Sequence, residues 1–140
     1  MNEKASQDEA NAPYVLAMVV CDAVWRDHGN GKCYVLGTFS TIGSTTFPAI
    51  HPILSVYLAL TDGRGRTDVL LRLVDAAEEA EPLFESPPSA IDWSDPRMVA
   101  ELVFQVNGVM FPGPGEYRLQ VFSGTEPLME RRIVVVRHGA

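Results

Sequence analysis

Cys33 follows Lys32 and lies close in sequence to His28, a grouping in which a cation and an imidazole lower a thiol pKa and create a nucleophile. A catalytic thiol also needs its base held at a fixed distance. His28 instead falls in "DHGNGKC", where Gly-Asn-Gly reads as a turn. Cys33 is therefore read as a small apolar residue at the start of a strand. The same stretch carries the Gly-Lys end of a Walker-type loop, but Arg26 stands where the first glycine belongs. Cys21, inside an apolar run, reads as core.

Asp22 in "VVCDAVW" is costly to bury unless it is paired or accepts several hydrogen bonds. It is expected to satisfy backbone amides near the turns, to pair with Arg26 or Lys32, or to line a pocket. Asp62, Asp68, Asp75, Asp92 and Asp95 supply carboxylates of the kind calcium takes from loops, yet no Asp-x-Asp-x-Asp run and no terminal bidentate Glu accompany them. His28, His51 and His138 fit no zinc spacing. No metal, cofactor or catalytic set is expected. From Asp75 to Asp95 the chain holds seven carboxylates and no Lys or Arg. This is a solvated edge that resists sheet-to-sheet association, or a docking surface for a basic partner. Trp93 in that segment is an interface anchor if exposed and a lid over the core if buried. Trp93, Asp92, Asp95 and Asp22 are the candidate contact residues.

In "FPGPGEYRLQVFSG", from Phe111 to Gly124, two Pro-Gly steps precede an alternating run. A phosphate cradle needs a strand before its glycines and a helix after them, so that backbone amides and the helix N-terminus converge on the anion. Here Tyr117, Leu119 and Val121 alternate with Arg118, Gln120 and Phe122, a period of two. No helix follows, and the glycines mark a corner between strands.

The elements that would position these residues are strands throughout. "YVLAMVVCDAVWRD" and "KCYVLGTFSTI" flank the Gly-Asn-Gly turn as a hairpin, and the first is apolar on both faces, as for a strand covered on each side. Pro48 and Pro52 delay the next strand to about Ile53, after which Leu54, Val56, Leu58 and Leu60 share a face. In "RTDVLLRLVD", Val69, Leu71 and Leu73 share a face, and a strand is preferred to the helix that "DVLLRLVDAAEEAE" also permits. "AAEE" then turns into a short edge strand, "PLFES". Pro87, Pro88 and Pro96 make "SPPSAIDWSDP" the longest irregular segment and a natural site for function. Leu102, Phe104 and Val106 oppose Glu101, Val103 and Gln105 in a further strand, and "LMERRIVVVR" is the last. About seven to eight short strands with turns between them predict an all-β chain, a single antiparallel β-sandwich over residues 13–138 behind a flexible polar tail at 1–12.

Two resemblances bear on this. The Pro-Gly corner with Tyr117 resembles the strand crossing of immunoglobulin-like and fibronectin-type sandwiches, which implies that the tyrosine packs over the corner and hydrogen-bonds upstream backbone. More of the chain, carried by Cys21-Asp22, Gly31-Lys32, Gly37 with Phe39, Phe47-Pro48, and Pro114-Gly115 with Tyr117, resembles a family of small bacterial proteins classed as a domain of unknown function. That resemblance implies a β-rich fold and no activity.

With 140 residues the chain can bury one core unaided. Its formal charge of −7 disfavours nucleic acid and anionic lipid. No apolar run approaches a membrane span, no export signal is evident, and two cysteines are too few for a disulfide framework, so a cytoplasmic protein is expected. The function expected is a non-catalytic protein-interaction or assembly module, binding an unknown protein or itself. The alternative is a small-ligand or carbohydrate-binding sandwich that uses the Pro87–Pro96 loop.

Overall fold

The structure is a computed structural model that describes residues 11–139. It is all-β, with ten strands: β1 Tyr14–Arg26, β2 Cys33–Thr38, β3 Thr41–Ser44, β4 Ala49–Thr61, β5 Gly65–Asp75, β6 Phe84–Glu85, β7 Ser89–Trp93, β8 Ala100–Phe111, β9 Gly115–Ser123 and β10 Glu126–Arg137. One sheet has the order β2-β1-β4-β8. The other runs β3-β10-β9-β5-β6, with β7 also paired to β5.

Ten strands replace the expected seven to eight, and the reasons are local. "KCYVLGTFSTI" is not one strand. β2 pairs with β1 in the first sheet, and after Phe39 and Ser40 the chain enters the second sheet as β3. There β3 runs parallel to β10, Val134 opposite Thr41, so the fold is not purely antiparallel. The supposed loop from Pro87 to Pro96 contains β7, because the prolines flank Ser89–Trp93 and leave its amides free to pair with Gly65 to Val69. β6 is the short edge strand expected from "PLFES".

β4 begins at Ala49 rather than at Ile53, with Pro52 inside it. The proline is tolerated because the β1 ladder covers β4 only from Ser55 onward, while His51 and Ile53 on either side of it pair with β8. The tail expected at 1–12 lies outside the described residues up to residue 10. Asn11 is already fixed, its N–H donating to the Arg64 carbonyl at 3.1 Å.

One core joins the two sheets. Leu54, Val56, Leu58 and Leu60 of β4 meet Val69, Leu71 and Leu73 of β5 and Leu119 and Val121 of β9, all fully buried. These are the alternations visible in the sequence, and each such side chain stabilises the fold by about 1.5–3 kcal/mol. The β5 segment is a strand, as preferred, and not a helix.

β1 explains why its sequence is apolar on both faces. Met18 and Val20 point into the core, while Cys21 and its β4 partner Ser55 point the other way and are nonetheless buried. Backbone groups of Ala23 and Leu36, both in the hairpin, reach the Cys21 thiol. β1 leaves β4 after Cys21, which pairs with Ser55 and Thr38 alike, and from there on β1 pairs with β2 alone. Glu101 of β8 is level with Ala59 of β4 and Ala17 of β1. Arg26 lies about nine residues further along β1, ~30 Å away in a flat sheet. Yet Arg26 Nη1 is 3.7 Å from Glu101 Oε1. The hairpin therefore folds back over the outer face of its own sheet.

Candidate functional site

Gly113 and Gly115 lead into β9, and Tyr117 is buried edge-on against Phe111, ring centroids 4.9 Å apart. Its hydroxyl donates to the Gly113 carbonyl at 2.6 Å and accepts from the Gly113 N–H at 3.3 Å. Burial raises the pKa of this phenol, which stays a neutral donor. The stretch is a structural corner.

The candidate contact residues are dispersed. Trp93 takes the buried alternative. Its indole N–H donates to Thr67 Oγ1 at 3.0 Å, its ring lies against Gly63, and only 7% of its surface is exposed. It is a lid over the core and is not available as an exposed anchor. Asp92 is exposed and lies 3.7 Å from Arg66. Asp95 is held by Arg97 at 2.8 Å, and that hydrogen bond pulls its carboxyl below the usual range. Glu79 pairs with Arg118 at 3.3 Å. The acidic segment is thus partly neutralised by Arg97, which flanks it, and by Arg66 and Arg118 from elsewhere in the chain.

Asp22 is exposed, not buried, and its partner is neither Arg26 nor Lys32. Its carboxylate lies against Gly37, which has a φ of 72°, at the point where the hairpin leaves β4. Ser55 donates its hydroxyl to the Asp22 carbonyl at 3.2 Å. Among the described residues no group of three or more His, Cys, Asp or Glu is gathered to hold a metal ion.

Two features escaped the sequence. Under the hairpin, Tyr57 hydrogen-bonds Glu101, which pairs with Arg26, and Cys33 lies near enough to act on the phenol. Burial, and then the Glu101 carboxylate, push the Tyr57 pKa up to about 12. A neutral phenol held by a carboxylate, itself balanced by a guanidinium, fastens the hairpin. Its groups are taken up with one another.

On the hairpin's outward side, Trp25 and Tyr34 sit opposite each other with ring centroids 5.3 Å apart, 55% and 44% exposed, beside Leu36 at 52%. The pairing of β1 with β2 puts all three on one face. The signal was present in the hairpin prediction, since residues directly opposite across a ladder share a face. Among the described residues β2 has no further strand beyond it in the sheet.

Residues 16–136 match the model of a family of unknown function, DUF6941. The chain belongs to this family. No curated protein matches this DUF6941 chain. Among solved structures it is similar to a beta-glucosidase from Listeria innocua in complex with glucose, at a TM-score of 0.50 and 10% identity, over 89% of this chain and 16% of that one. The same enzyme in complex with isofagomine gives a TM-score of 0.49 and 11% identity over the same shares. The chain spans 16% of the length of these glucosidases, and the likeness concerns the fold.

Proposed function

We propose that this chain is a non-catalytic protein-interaction module of immunoglobulin-like sandwich type, which docks a protein partner on the outward face of its β1–β2 hairpin. The observation that carries the proposal is the exposed Trp25–Tyr34 pair with Leu36 beside it. Trp and Tyr are enriched at interface hot spots, and large exposed apolar patches mark interaction surfaces. The immunoglobulin-like assignment is supported by the Tyr117-to-Gly113 bond over the corner and by the single core joining two sheets.

A partner with apolar surface and positive rim charge fits best, because the chain carries −7 and positive charge would speed the encounter. Affinity capture from native lysate together with a sizing measurement tests the proposal. A partner retained by the native chain and lost from Trp25→Ala/Tyr34→Ala supports it. A strictly monomeric protein that retains nothing, or retains the same protein in both forms, overturns it.

A further inference from the structure

We propose that the β1–β2 hairpin, residues 22–38, is a strap that opens as a unit about the Asp22–Gly37 point and uncovers Cys21 while the core stays folded. The inference stands independently of what docks on the hairpin.

The hairpin contributes nothing to the core. Not one residue from Asp22 to Thr38 is buried, and none belongs to the hydrophobic cluster that joins the sheets. β1 stops pairing with β4 at Cys21–Ser55, so beyond that point the ladder bonds of the hairpin run between its own two strands. The Arg26 guanidinium also donates to Gly31 within the turn, at 2.9 Å. A segment with its own hydrogen bonds and few buried apolar contacts is a cooperative unit that opens before the rest of a protein does.

The closure is weak by its chemistry. The Arg26–Glu101 pair spans 3.7 Å, with side chains 43% and 29% exposed. An ion pair of that exposure is screened by salt and holds the strap by a several-fold factor at most. The other link is the hydrogen bond between Tyr57 and Glu101, which braces the carboxylate beneath the strap, beside Cys33. Gly37, at a φ of 72°, supplies the bend.

Cys21 reports opening directly. Its side chain points away from the core and is fully buried, and its thiol lies 3.7 Å from the Ser55 carbonyl. Burial raises its pKa, so the closed form is doubly inert. The chain has two cysteines, so Cys33→Ser leaves Cys21 as the one thiol.

The experiment follows alkylation of Cys21 by a neutral reagent in that background, normalised to free cysteine, under native conditions. Glu101→Gln keeps an acceptor for Tyr57 and removes the charge facing Arg26. Labelling several-fold faster than in the parent, with an unchanged thermal midpoint, is the expected result. The parent's rate should rise with salt while the Glu101→Gln rate stays flat. Asp92→Asn, which removes the exposed partner of Arg66, should label like the parent. The proposal is overturned if Cys21 labels only with global unfolding as followed by circular dichroism, or if Glu101→Gln and salt leave its rate unchanged. Should Glu101→Gln not fold, the salt response of the parent decides alone.

Discussion

Asp22 lays its carboxylate against the bare Cα of Gly37, and the two residues face each other where β1 and β2 leave the rest of the sheet. A Cβ at position 37 would overlap that carboxylate, and the backbone there has a φ of 72°, a region in which side chains are strained. The pairing of these two residues thus marks the bend through which the hairpin reaches Glu101.

Gly37→Ala is expected to load about 1–3 kcal/mol of strain onto that bend. Because the hairpin holds no buried residue, the strain should fall on the hairpin and not on the core. Amide exchange in Cys33–Thr38 should accelerate at least several-fold while exchange in Gly65–Asp75 hardly changes. Equal acceleration in both strands would show that the hairpin and the core open together.

Tyr117→Phe keeps the ring that meets Phe111 and deletes the hydroxyl bound to Gly113. A net loss of about 0.5–1.5 kcal/mol is expected, the usual worth of one such bond. Urea unfolding measures it. Tyr117→Ala, which also empties a fully packed site, should cost about 3–5 kcal/mol by the same measurement.

The parts of this fold legible in the sequence are those set by a period of two with one buried face. Val69, Leu71 and Leu73, or Tyr117, Leu119 and Val121, announce strands because neighbours in the chain fix which side they face. The Tyr117 corner was legible for the same reason, since donor and acceptor sit four residues apart. The retreat of the hairpin was not. It rests on Arg26 meeting Glu101, residues remote in the chain, and no local pattern records which face a hairpin folds toward. β7 was hidden because Pro87, Pro88 and Pro96 are read locally as breakers, whereas its pairing with β5 is decided elsewhere in the chain. Trp93, an anchor if exposed or a lid if buried, takes the buried alternative, and nothing local marked Gly63 as the residue that leaves room for its indole.

Gly63→Ala tests that close approach. Its new methyl would overlap the Trp93 indole, an overpacking expected to cost about 1–3 kcal/mol. Trp93→Phe removes the N–H that reaches Thr67 and leaves the buried hydroxyl without that donor, at a cost of about 1–3 kcal/mol. The smaller ring also frees space beside position 63, so the double variant should lose less stability than the two single losses added together. Additive losses in urea unfolding would mean that the two residues do not share a packing constraint.

Tyr57 gives the pH dependence its sign. An unfolded tyrosine ionises near pH ~10, and in the folded chain burial and the Glu101 carboxylate raise that pKa to about 12. The folded state therefore holds the phenol proton more tightly than the unfolded state. Its contribution is complete below pH ~10 and falls away as the pH rises toward the folded value. Tyr117 shifts in the same direction, so the native chain alone cannot isolate Tyr57. The comparison with Tyr57→Phe does, because that variant keeps the Tyr117 contribution and lacks the Tyr57 ionisation. The gap in unfolding free energy between the native chain and Tyr57→Phe should hold steady from neutral pH to about 9, then shift against the native chain above pH ~10. A gap that stays constant through that window would place Tyr57 in a solvated setting and remove the carboxylate–phenol contact from beneath the hairpin.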